Sequence, residues 1–152
     1  GGCKRIMERN TGHVVLGIAD AIIALKSDFL GCKYINEPTN ESEYEAIEWV
    51  TGHDSIGSCV YGTRPSGVSD WATVKSKFDT MISELAMSNL RAQRNILLAD
   101  TDWSQGADVP SVIKTKYNTY RQQLRDLPAS SSPVWNNDTG TLSNVTWPTK
   151  PS

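Results

Sequence analysis

The chain has 152 residues, with 15 Lys and Arg against 17 Asp and Glu and 38% hydrophobic residues. That length supports a real core, and the near-neutral balance excludes the bulk positive charge of a nucleic-acid or anionic-membrane binder. The longest apolar stretch, Val14 to Leu25, is interrupted by Gly17 and Asp20 and falls short of the ~18–20 residues a membrane span needs.

Charge is unevenly spread, with 6 basic and 10 acidic residues in 1–70 and 9 and 7 in 71–152. Five Trp and five Tyr are many large amphipathic side chains for this length, suited to a core or to a protein interface. Cys3, Cys32 and Cys59 are odd in number and widely spaced. With no CxxC pair, neither a zinc site nor a disulfide framework is expected, and reduced thiols are the default. His13 and His53 supply no close-spaced ligand pair either, so no metal and no cofactor is expected.

In chain order, residues 1–69 read as a small α+β region. Ile6 to Arg9, a three-residue Asn10-Thr-Gly12 loop and His13 to Ala19 have the form of a β-hairpin, with Val14, Leu16 and Ile18 on one face of the second strand. Phe29 to Ile35 is a possible third strand. Asn40 offers an N-cap for a short helix through Trp49, stopped by Gly52. Glu41, Glu43, Glu45 and Glu48 then form its solvated face. Gly, Ser and Pro content from Gly57 to Gly67 argues for loop. His53-Asp54-Ser55 invites a catalytic reading, but adjacent residues do not form a nucleophile–base–orienter chain.

From Trp71 the apolar positions 74, 78, 81, 82, 85, 92, 96 and 99 recur at helical spacing, with no Pro or Gly until Gly106. This predicts a helix of about thirty residues, ~45 Å long, capped by Asp70 and broken by Asp102-Trp-Ser-Gln-Gly106. A second helix starts near Asp108-Val-Pro110 and carries Ile113, Tyr117, Tyr120, Leu124 and Leu127 at spacings of four, three, four and three. Pro128 is expected to end it. The short connection makes the two helices an antiparallel hairpin spanning 70–128. The first helix is longer, so Trp71, Val74, Phe78, Met81 and Leu85 overhang the second. Either the front region covers that stripe or other copies of the same helix do, as an oligomerisation element. Residues 129–152 form an extended Ser-, Asn-, Thr- and Pro-rich tail whose large anchors are Trp135 and Trp147.

The order Arg-x-x-Arg-Asn-x-Leu-Leu-Ala-x-Thr-Asp-Trp (91–103), Asp-x-Pro (108–110), Tyr-Arg-Gln-x-Leu-Arg-Asp-Leu-Pro (120–128) and Trp-Pro-Thr-Lys-Pro (147–151) resembles the tail assembly chaperone-like domain of bacteriophages. That domain is similar to the C-terminal part of tail fibre assembly proteins, and it also closes some tail fibre and tail-tip proteins. The resemblance runs from Leu90 to Pro151. It implies a non-catalytic helper or component of tail morphogenesis, made in the host bacterial cytoplasm, that binds a phage tail or tail fibre polypeptide. Its signature positions here are Trp103, Pro110, Tyr120, Arg121, Leu124, Arg125, Leu127, Pro128, Trp147 and Pro148. Two departures stand out: the stretch from Ala129 to Asn144 is long for the family, and the first ninety residues match no named pattern.

Candidate protein-binding residues are therefore Trp103, Tyr120, Arg121, Arg125, Trp135, Trp147 and Pro148. For Arg121 and Arg125 the alternative, and the favoured one, is an intramolecular contact with Asp100, Asp102 or Asp108 around the turn. Trp103 is expected to plug the bend against Tyr120. Trp147 either folds back on the helical hairpin or docks into a partner groove. The reading is an α+β interaction module and not an enzyme. It acts in phage tail assembly by shielding apolar client surfaces, with a structural tail, baseplate or fibre-tip subunit of the virion as the alternative.

Overall fold

A computed structural model describes residues 12–152. These fall into two compact units, one through Ile82 and one from Ser83 to Ser152.

In the front unit the expected second hairpin strand, His13 to Ala19, is absent: residues 14–17 form no regular element and helix α1 spans Ile18–Leu25. The first strand of that hairpin, Ile6 to Arg9, lies outside the described residues. The helix wins because its start is well capped: the Gly17 N–H donates to the Asp20 carboxylate at 2.7 Å and the Ile18 N–H to Glu37 Oε2 at 2.9 Å. Ile18, Ala19, Ala21 and Ile22 then share a buried face.

A three-stranded antiparallel sheet follows, made of β1 (Cys32–Lys33), β2 (Glu48–His53) and β3 (Cys59–Gly62) in the order β1-β2-β3. The expected third strand is thus present but short. Between β1 and β2 lies helix α2, Glu41–Glu45. Asn40 caps it as expected, accepting from the Glu43 N–H at 2.9 Å. The hydrogen bond from the Thr39 N–H holds the Glu43 carboxyl below the usual carboxylate range. The helix does not reach Trp49, because Glu48 onward joins the sheet. Likewise 57–67 is not all loop, since β3 pairs with β2 there. His53-Asp54-Ser55 opens the turn between these strands. Asp54 Oδ1 accepts from the Ile56 and Ser58 N–H groups at 3.0 and 2.8 Å, and Gly57 takes the left-handed conformation (φ +84°). Cys32 is buried in the core of this unit.

The front core is aromatic. Trp49 meets Tyr44 edge-on at 5.1 Å and Phe29 at 6.1 Å, and Tyr44 meets Trp71 at 5.5 Å. Burial pushes the Tyr44 phenol above its ordinary pKa, and its hydroxyl donates to the Ser69 carbonyl at 2.8 Å. Val74 is fully buried in this core, and Trp71, Phe78 and Met81 pack against it. Of the two covers expected for the overhanging stripe, its own front unit is the one present for these four side chains. Trp71, Phe78 and Met81 keep part of their surface exposed.

Helix α3 runs Trp71–Ala99, as its periodicity predicted. Asp70 caps it, accepting from the Thr73 N–H at 2.9 Å. The buried face changes along its length. Ala86 and Leu90 are buried in the second half, whereas Ala92, Ile96 and Ala99 of the expected stripe are exposed. A 3-10 turn at Asp102–Gln105 breaks the chain where expected, and helix α4 spans Ser111–Ser130 with Pro110 at its N-cap. Pro128 does not stop α4. It sits in the last turn, so few residues follow it in the helix, and the Ser130 hydroxyl donates to the Asp126 and Leu127 carbonyls at 3.2 and 3.3 Å. The segment after it is not simply extended, because β4 (Val134–Asn136) and β5 (Thr141–Ser143) pair as a small hairpin. That hairpin accounts for the extra length from Ala129 to Asn144.

Candidate protein-binding site

The site is assembled around the bend between α3 and α4, where a helix C-terminus leaves carbonyls without partners. Thr101, fully buried, turns its hydroxyl back onto the Leu97 and Leu98 carbonyls at 3.2 and 3.0 Å. Ser104 closes the next turn, donating to the Thr101 carbonyl at 2.6 Å. Arg121, 8% exposed, reaches across from α4 and completes the set. Its guanidinium donates to the Leu98 carbonyl at 2.7 Å, the Thr101 hydroxyl at 2.9 Å and Asp102 Oδ1 at 2.8 Å. A cation at a helix C-terminus also meets the negative end of the dipole. Arg121 is therefore a keystone of the bend, the intramolecular role favoured for it above.

Along α4, Tyr117, Tyr120 and Leu124 form one buried cluster, with Leu97, Leu98 and Trp147 packed against it. Trp147 thus folds back on its own helices. Two polar contacts fix the residues after it: the Tyr117 hydroxyl donates to the Pro151 carbonyl at 3.2 Å, and Lys150 Nζ pairs with Asp100 at 2.6 Å. The hydrogen bond to Asp100 raises the Lys150 pKa above its ordinary value.

An accessible apolar surface remains around this docked tail. Trp103 is 54% exposed and packs edge-on against Tyr117 at 5.0 Å, so it does not plug the bend and its partner is Tyr117, not Tyr120. Ile113, one turn before Tyr117 on the same face of α4, is exposed as well. On the α3 side, Gln93, Ile96, Leu97 and Trp147 line an open cavity of about 360 Å³, with Ile96 68% exposed.

The residues expected from sequence separate accordingly. Trp103, Arg125, Trp147 and Pro148 have accessible surface. Tyr120 and Arg121 are buried in the framework, and Trp135 is the inward-facing residue of β4. All three present little surface to a partner, and Tyr120 and Arg121 position the site. Ile96, Ile113 and the Lys150–Asp100 pair were missed. Ile96 had a signal, since it fits the helical stripe, but the stripe alone does not say which members end up uncovered.

Residues 87–152 match the family model of the phage tail assembly chaperone protein. The back unit therefore contains a phage tail assembly chaperone-like domain, and every element of the surface just described lies within the match. No curated protein and no solved structure matches the chain. Among the described residues, no helix is long and apolar enough to cross a membrane.

Proposed function

We propose that this protein is a non-catalytic phage tail assembly factor that grips a tail or tail fibre polypeptide through the surface at the α3–α4 bend. The family match supports the tail assembly role. The observation that carries the finer reading is the exposed apolar surface of Ile96, Trp103 and Ile113 around the docked Trp147. Large apolar side chains left exposed on a small unit are candidate contacts for a partner. Unassembled tail subunits expose apolar faces and strand edges, and covering them until polymerisation is work that needs no reactive group. It would take place in the host cytoplasm.

The test is co-expression of the chain with each tail and fibre protein of the same phage. The soluble yield of one client is expected to depend on this chain and to fall with Ile96→Asp or Trp103→Ala. Unchanged yield for every tail protein would end the reading.

A second reading is a subunit retained in the virion tail, in which the same exposed apolar residues would meet a neighbouring tail subunit permanently. Mass spectrometry of washed virions separates the two. Peptides from this chain at the stoichiometry of known tail proteins support the virion subunit, and their absence from particles alongside abundance in lysate supports the assembly factor.

A further inference from the structure

We infer that residues 145–151 are a displaceable occupant of a peptide-recognition groove, and that the groove's partner in trans is an extended client segment of the same chemistry. That chemistry is a large aromatic followed by proline, with a cation three residues after the aromatic. This deepens the proposed function and rests on its premise that the bend grips polypeptides.

The tail is held as a ligand is held. From Val145 onward it pairs with no strand and enters no helix. Its polar anchorage in the structure is the Pro151 carbonyl on the Tyr117 hydroxyl and Lys150 on Asp100, and its apolar anchorage is Trp147 on the Tyr117–Tyr120–Leu124 cluster. Pro148 and Pro151 keep such a segment extended before it docks, which lowers the entropy lost on docking. The groove also continues past the tail: the cavity beside Trp147 leaves Ile96 uncovered. An incoming segment with one more apolar side chain buries surface that the tail leaves in water, and this gives a client the advantage over a tethered competitor. The tethered tail in turn screens the groove against weaker partners, because its effective concentration is high.

The experiment titrates a fluorescently labelled peptide of this chain's own Val145–Ser152 into the full-length protein, as wild type and as Trp147→Ala. Wild type is expected to bind weakly, and Trp147→Ala at least about tenfold more tightly, because releasing the occupant raises the competent fraction. Lys150→Ala, a surface change that leaves the apolar cluster intact, is expected to fall between them, and it carries the test if Trp147→Ala fails to fold. Equal affinity for wild type and Lys150→Ala, or no saturable binding to either variant, overturns the inference. So does concentration-dependent dimerisation of the wild type that Trp147→Ala abolishes, since that assigns the groove to a second copy's tail. None of these failures touches the solubility assay on tail proteins, which decides the proposed function separately.

Discussion

The two units are held together by different physics. The front one closes around Trp49, Tyr44, Phe29 and Trp71, with Trp49 edge to face against Tyr44 and Phe29 and Trp71 tilted against Tyr44. In the back one a buried cluster of two tyrosines and a leucine is joined to a polar keystone, Arg121, and covered by its own C-terminal tail. An aromatic core turned inward has stability as its outcome. A thin cluster whose cover is an extended tail, with Ile96 and Trp103 exposed beside it, leaves apolar surface available for exchange. This contrast, together with the family match over residues 87–152, is the ground for proposing the binding site in the back unit.

The contrast can be broken by mutation, and the largest effect belongs to the front. Trp49→Ala is expected to cost ~3–5 kcal/mol in denaturant unfolding, with the front unit losing its near-ultraviolet aromatic signal. A loss below about 1 kcal/mol would mean the front unit does not depend on this core.

Arg121→Ala comes next, at about 2–3 kcal/mol, since it strips the Leu98 carbonyl, the buried Thr101 hydroxyl and Asp102 of a shared donor. Arg121→Lys should recover little, because an ammonium does not reproduce the three-pronged contact. Full recovery by lysine would show that the charge alone matters and that the bend is less specific than its geometry.

Tyr117→Phe sharpens the comparison further. It removes the hydrogen bond to Pro151 and should weaken tail docking by about 0.5–1.5 kcal/mol, read as increased exchange of the tail amides with no change in the front unit.

The smallest effects are set by pH, and their signs oppose one another. Asp70 titrates below its ordinary value because of the hydrogen bonds from Thr73. Its capping contribution is therefore complete above the usual carboxylate range and is lost as pH falls through the lowered value. Lys150 titrates above its ordinary value, so its contribution is complete below that value and is lost as pH rises through the raised one. Acid should thus narrow the difference between wild type and Asp70→Ala in thermal midpoint. Alkali should shift the Trp147 indole resonance in wild type and leave it unmoved in Lys150→Ala.

How legible each part was from sequence follows the range of the forces behind it. The long helix, its Asp70 cap, the break at Asp102–Gln105 and the Asn40 cap rest on contacts within a few residues, and these were readable. The front strands were not. Alternation in Val14, Leu16 and Ile18 suits a strand, but Gly17 with Asp20 and the distant Glu37 caps a helix that begins at Ile18, and residues 14–17 before it form no regular element. Trp49 left its expected helix for the same reason, since β2 is defined by pairing with Cys32–Lys33 and Cys59–Gly62. In the site, Arg121 was readable as an ion-pair partner because Asp102 flanks the same turn.

What the sequence determined by itself was therefore local and compositional: a helix-rich back half with a sharp bend, a Trp-Pro tail and the resemblance to tail assembly chaperones carried by ordered motifs. Tertiary structure alone decided which apolar residues of that half are covered. Ile96 and Leu97 are neighbours on α3, yet Leu97 packs on the tyrosine cluster while Ile96 stands open to water. Trp147 was free in sequence to face either its own helices or a partner, and only folding brought it against them. Burial depends on what arrives from elsewhere in the chain, and helical periodicity specifies a face without naming its occupant.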